Sequence, residues 1–382
     1  MTTDVRLTAS RCAVSALFFV NGAVLASWVP YVPIVKQRLG IGDGQLGVIL
    51  LFMAIGALGV LPFAGALVSR CESRAVSVGA AFGLCLTLPL PVFAPTPSLM
   101  ALALLIFGAF NSTLDVAMNA QAVEVERRRR RTLMSSFHAL FSAGGLAGAA
   151  VGSAIAIVGI AAGAHIVGVA LLGGVVTLAA WPALIAVTPS PSPTFVKPTR
   201  GLLGLGMLAF CALLAEGAIG DWSAVYLMDS RSSSQSLAAA GFAVFSLAMA
   251  AGRFGGDHVA RRLGAARLLR LSGALAAGGL GFALIVKGVI LAIVGLGVVG
   301  LGIANLIPVL FSAAGRVPGV TPGHALAAVA TTGYVGFLAG PPLIGLAAEM
   351  AGLPAALGIV VLACAGVAIA ASVVDDRIPI RP

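Results

Sequence analysis

Charge is scarce in this 382-residue chain: Asp, Glu, Lys and Arg together make up 9%. A soluble domain carries about a quarter. So few charges cannot cover an aqueous surface, which excludes a soluble enzyme or binding domain and makes lipid the solvent for most of the chain. Aromatic residues are also few, at 6%. The five cysteines, Cys12, Cys71, Cys85, Cys211 and Cys364, are scattered without metal or disulfide spacing. They read as small apolar packers. There is no Gly-Lys-Ser/Thr phosphate loop, no HxxxH, no CxxC and no Asp-rich pair. ATP is therefore not the driver, no cofactor or metal is expected, and a membrane enzyme would lack a catalytic constellation. A transporter-like sensor would need an added soluble domain or a long tail, and the tails are short.

What is present is hydrophobic sequence, 59% of the chain, in long unbroken runs. With no water in the bilayer core, only helices or closed barrels satisfy the backbone; long runs select helices. Polar punctuation divides the chain into twelve spans near 12–35, 46–69, 75–94, 98–122, 134–158, 163–187, 202–227, 236–259, 268–287, 289–313, 323–347 and 353–374. The expectation is an all-α membrane protein of twelve transmembrane helices. The first run exceeds the roughly 7–15 residues of a signal-peptide core, so an uncleaved first span is expected.

The net charge of +10 is explained by topology. With both termini cytoplasmic, the inner loops and helix ends hold Arg6, Arg11, Arg70, Arg74, Arg127 to Arg131, Lys197, Arg200, Arg253, Arg261, Arg262, Arg267, Arg270, Arg316, Arg377 and Arg381. The outer side keeps Lys36, Arg38, Arg231 and Lys287. This is the positive-inside bias, and it needs no nucleic acid. It predicts a multi-pass protein of a bacterial inner membrane. Trp28, Tyr31, Trp181, Trp222 and Tyr226 fall near span ends, where amphipathic rings favour the interface. The Pro- and Ser-rich stretch 188–201 reads as a cytoplasmic linker. It separates an N-terminal six-helix bundle, 1–187, from a C-terminal one, 202–382.

The halves repeat each other in order. Asn21-Gly22-Ala23 with Trp28 matches Glu216-Gly217-Ala218 with Trp222. Gly108-x-x-Asn111 matches Gly302-x-x-Asn305, and LAGAAVG (146–152) matches LAGPPLIG (338–345). GALVSRCESR (65–74) matches GDHVARRLGAAR (256–267). The last pair resembles the G-x-x-x-D-R-x-G-R motif of the major facilitator superfamily. Gly65, Arg70 and Arg74 match; Ser69 replaces the acidic residue and Glu72 the second glycine. The second copy keeps Gly256, Arg261 and Gly264, with Asp257 one turn earlier. DVAMNAQAVEVE (115–126), MSSFHALFSAGGLAGA (134–149), GDWSAVYL (220–227) and AVFSLAMAAGRFGGD (243–257) are similar to the MosC/YbjJ-like branch. That branch is related to sugar–proton symporters of the fucose-permease type. The resemblance implies two bundles related by pseudo-two-fold symmetry, working by alternating access.

Asp115 stands out as a carboxylate in an apolar span. Asn111, Asp115 and Asn119, at i, i+4 and i+8, drift only about 40° per step and share one stripe. Counted from a boundary near 122, Asp115 lies about 10 Å inside. An acid at such depth costs about 2.5–3.5 kcal/mol and faces protein or water, not lipid. Two roles fit: lining a cavity and exchanging a proton or cation, or hydrogen bonding to a neighbouring helix. Glu216, mid-span at the repeat position of Asn21, carries the same alternatives. The superfamily lines its cavity with spans 1, 4, 7 and 10. The resemblance therefore points Asn21, Asn111, Asn119, Asp115, Glu216 and Asn305 inward together. Asp221, beside Trp222 near the outer boundary, suits an outer-mouth role or pairing with Arg231. His138 suits a proton relay or an interfacial place. Tyr334, with Thr331 or Thr332, could offer hydroxyls to a ligand.

No lysine or arginine is expected mid-span, which favours a neutral polyol, an amino sugar or an organic cation. The glycine-dense stretches 144–152 and 338–342 are expected at the rocking interface between halves. Arg70, Arg74, Asp257, Arg261 and Arg262 are expected to gate the cytoplasmic face or fix topology. The reading is a monomeric, proton-coupled secondary carrier that takes a small-molecule substrate, protons and membrane lipid as partners. The alternative is a proton-driven efflux antiporter.

Overall fold

A computed structural model describes residues 3–28, 31–41, 43–158, 161–187, 200–233 and 235–374. The linker read at 188–201 lies outside them up to residue 199, as do Lys197, Arg377 and Arg381 and the side chains of Lys36 and Arg200. All regular structure among the described residues is helical. Among the described residues, ten segments are long and apolar enough to cross a bilayer.

The chain forms two compact units. The first comprises Met1–Arg129, Leu140–Val196 and Gly319–Ala327; the second comprises Arg130–Ala139, Lys197–Pro318 and Ala328–Pro382. The first contains α1 (Thr3–Ser27), α2 (Val32–Leu39), α3 (Asp43–Cys71), α4 (Ser73–Thr87), α5 (Pro89–Phe93), α6 (Pro97–Arg129), most of α7 (Met134–Val158) and α8 (Ala162–Ala180). The second contains α9 (Arg200–Val225), α10 (Gln235–Leu263), α11 (Ala265–Ile285), α12 (Val289–Ile303), α13 (Leu306–Ala314), most of α14 (Pro322–Ala351) and α15 (Leu353–Ala370). The first turns of α7 count with the second unit and those of α14 with the first.

Several spans are finer than the hydropathy pattern predicts. The run 75–94 is two helices, broken where Pro89 begins α5. The run 289–313 is α12 and α13, broken at Ala304 and Asn305. Pro308 has no N–H to give the Ala304 carbonyl, so one rung of the helical ladder is missing there. The run ending near 122 continues to Arg129, with Val123 to Glu126 still buried. Asp115 is thus 14 residues, about 21 Å, from the arginine end.

One-residue hinges turn the chain between antiparallel helices. Gly264 (φ 79°, ψ 162°) joins α10 to α11, and Gly352 (φ 81°, ψ 153°) joins α14 to α15. Glu72 joins α3 to α4 with φ 73° and ψ 130°. The residue that replaces the motif glycine has kept the glycine backbone, at a cost of about 1–3 kcal/mol.

Of the glycines expected between halves, Gly144, Gly148 and Gly340 pack against helices of their own unit. A Cβ on Gly144 or Gly148 of α7 would collide with the α1 carbonyls of Phe19 or Ala23. Gly336 of α14 is pressed against the Phe210 carbonyl of α9, and Gly340 lies near Leu214. Backbone contact this close is available only without a side chain, and it locks α7 to α1 and α14 to α9.

The aromatic residues also differ from expectation. Trp28, Tyr31 and Tyr226 are buried. Tyr31 hydrogen-bonds His165 Nδ1 at 2.9 Å, and Tyr226 donates to the Ala283 carbonyl at 2.6 Å. Trp181 is exposed, as an interfacial ring should be. Arg231 does not pair with Asp221. Its Nε donates to the Tyr226 hydroxyl at 2.8 Å and its Nη2 to the Leu284 carbonyl at 2.6 Å, capping the end of α11. Arg38 does the same at the end of α5, donating to Val92 and Ala94 at 2.5 and 2.7 Å.

Candidate substrate and proton site

In the first unit, α6 places its polar stripe as the spacing predicts. Asn119 Nδ2 donates to the Asp115 carbonyl at 2.8 Å and to Asp115 Oδ1 at 3.1 Å. Asn119 is buried, whereas Asp115 is half-buried and keeps access to its surroundings. Asn21 of α1 faces the same helix, its Nδ2 lying 3.7 Å from Met118 Sδ. Among the described residues, Asn21 Oδ1 and Asn111 Oδ1 are buried and accept no hydrogen bond. A buried amide oxygen without a donor is costly, so this wall is suited to a donor supplied from outside the protein. The structure brings Asn21, Asn111, Asp115 and Asn119 to one region, along α6 and the α1 face packed on it.

The second unit carries a feature that contradicts the sequence reading. Arg253 is a mid-span cation: it lies four residues past the middle of the 29-residue α10, with its side chain 7% exposed. Its Nη2 is 3.6 Å from Glu216 Oε1 of α9, and Glu216 is 26% exposed. Its Nε donates to the Ala304 carbonyl at 3.2 Å, the group released by Pro308. Asn305 beside the break donates from Nδ2 to the Gly252 carbonyl at 3.0 Å. Its Oδ1 is buried and unpaired among the described residues. Gly256 admits this side chain, since a Cβ there would strike Asn305 Oδ1. His138, in the first turns of α7, is buried edge-on to Phe311 of α13 at 6.0 Å between centroids. Glu216, Arg253 and Asn305 form one constellation within the second unit. The signal for Arg253 was its place in AMAAGRFGGD; counting it with the inner-loop charges hid it.

Asp221 is exposed and Trp222 half-buried, with the indole against Gly345. Tyr334 is half-buried on α14.

The gating residues separate into two classes. Asp257 is buried and binds the start of α7: Ser135 N–H donates to Oδ1 at 2.9 Å and Ser136 N–H to Oδ2 at 3.0 Å. The Ser136 hydroxyl donates to Oδ2 as well. Two of the orphan amides of a helix N-terminus are met by a carboxylate from another helix. Arg261 adds a donor to the Thr132 carbonyl at 3.4 Å. In the first unit, Ser69 stands at the motif's acidic position. Its hydroxyl meets Thr321 Oγ1 at 2.8 Å and His324 Nδ1 at 3.2 Å at the start of α14. A cluster of two hydroxyls and the His324 imidazole thus stands where the motif has a carboxylate. Arg70 and Arg262 are exposed and Arg74 is half-buried.

Residues 14–321 match the family model described as Major Facilitator Superfamily. The chain belongs to the major facilitator superfamily. Over 359 residues it is 41% identical to an uncharacterized MFS-type transporter of Yersinia pestis, covering 94% of each chain. It is 36% identical to the membrane protein MosC of Rhizobium meliloti over 372 residues, 96% of this chain and 90% of that one. Its fold is similar to that of the MFS transporter FucP in the outward conformation, with a TM-score of 0.77 at 15% identity, covering 95% and 97% of the two chains. The superfamily and branch expected from the motifs are the ones matched. The protein is a multi-pass membrane transporter of the twelve-helix MFS fold, not an enzyme.

Proposed function

We propose that this MFS protein is a proton-coupled secondary transporter of a small polar solute of the sugar or polyol class, working by alternating access in a bacterial inner membrane. The observation that carries the reading is the Glu216–Arg253 pair, 3.6 Å apart with the arginine buried and the carboxylate a quarter exposed. A proton arriving on Glu216 cancels its hold on Arg253. A substrate oxygen can then compete for the guanidinium while the Ala304 carbonyl still holds its Nε. Asp115 offers the first unit a second half-buried carboxyl, oriented by Asn119.

The unpaired amide oxygens of Asn21, Asn111 and Asn305 suit hydroxyl donors, which a polyol presents in number. With Arg253 present, the preference against anions loses its basis; the amides carry the choice instead. FucP, of similar fold, is a fucose:proton symporter, which supports the same class here.

The test is flux into proteoliposomes under an imposed pH gradient, with sugars, inositols and amino sugars as solutes. Asp115→Asn and Glu216→Gln should fold yet lose gradient-driven uptake. Full flux retained in both would reject the proposed roles.

A further inference from the structure

We propose that the arginine-rich end of the first unit holds a binding site for the phosphate of an anionic phospholipid. A cleft there is lined by Arg6, Leu7 and Ser10 from α1, by Arg128 from α6, and by Pro182 to Ala186 after α8. Its mouth carries two guanidiniums from different helices, and its floor includes the buried side chains of Leu184 and Ile185. Arg129 Nη2 donates to Thr8 Oγ1 at 2.5 Å and ties the two helical walls together.

This end of α6 carries the arginines 127–131 against two carboxylates, Glu124 and the buried Glu126. Glu124 is already engaged by Arg127 at 2.7 Å and by Arg128 at 2.5 Å. The Arg128 side chain nevertheless remains 44% exposed. Arg129 Nε is buried with no acceptor among the described residues. A diffusing phosphate would find guanidiniums at the rim but mostly hydrocarbon beneath them. A phospholipid supplies both parts, an anion for the rim and carbon for the floor. The exterior of α8 leads to the same place, with Leu171, Val175, Leu178 and Trp181 all exposed along one side. That track gives an acyl chain a surface to lie on, and Trp181 marks the headgroup level. Arginine pockets at the ends of spans are suited to acidic headgroups.

The experiment titrates the purified full-length protein in neutral detergent with phosphatidylglycerol, phosphatidylcholine or inorganic phosphate alone. Native mass spectrometry reads retained lipid, and the melting midpoint reads protection. The expected result is selective retention of phosphatidylglycerol and a raised midpoint with that lipid only. Arg6→Gln with Arg128→Gln should lower retention by about fivefold for each arginine removed, whereas Arg262→Gln should leave it unchanged. Ala9→Phe fills the cleft from α1 with both arginines in place and should lose the lipid equally; it carries the test if the double variant does not fold. Equal protection by inorganic phosphate alone would overturn the lipid assignment. So would equal retention by the cleft variants and Arg262→Gln.

Discussion

Asp257→Ala removes the acceptor for two backbone amides and one hydroxyl at the start of α7. Each bond to a charged acceptor is worth about 1.5–3 kcal/mol net, and an N-cap acceptor about 0.5–2 kcal/mol. The three share one carboxylate and water replaces part of the loss, so we work with about 3 kcal/mol. The helix start is local, and the penalty should fall on its local opening. Exchange protection of the Ser135 and Ser136 amides should therefore drop by roughly a hundredfold, at tenfold per 1.4 kcal/mol. Asp257→Asn keeps one oxygen and should lose about tenfold. Hydrogen exchange with mass spectrometry on a peptide covering 132–140 reads both. Protection within threefold of the parent in Asp257→Ala would refute the capping argument. A loss spread equally over α15, far along the chain, would instead indicate global destabilisation.

Three further outcomes follow from the geometry. Glu216→Gln should lower stability by about 1–2 kcal/mol, less than for a fully buried pair because the carboxylate is partly exposed; adding Arg253→Gln should recover most of that in a thermal melt without restoring flux, and restored flux would make the pair merely structural. Gly148→Val drives a side chain into the Ala23 carbonyl and should cost about 1–3 kcal/mol, whereas Gly59→Val, which meets nothing within 4 Å, should melt like the parent. Glu72→Gly should raise the melting midpoint by relieving about 1 kcal/mol of backbone strain, and Gly264→Ala should lower it.

The all-helical spans were legible because hydropathy is a local property, and the α6 stripe because helical spacing is too. The Glu216–Arg253 pair was not: its partners are 37 positions apart, and a charge count assigns Arg253 to a loop. The partner of Ser69 was hidden for a similar reason, since His324 lies 255 residues away in sequence. Pro308 was readable in principle, as a missing donor four residues after Ala304, but its consequence depends on which side chain takes the freed carbonyl. Glu72 could not be foreseen from propensity, because there the hinge overrides the residue's own backbone preference.

Arg38 and Arg231 hold carbonyls at the ends of α5 and α11. Both guanidiniums stay charged but are fixed in place, each serving as a donor to carbonyls that a helix end leaves open. Losing either arginine should therefore show first as fraying of the end of α5 or α11, seen as faster amide exchange there, rather than as a change spread over the fold.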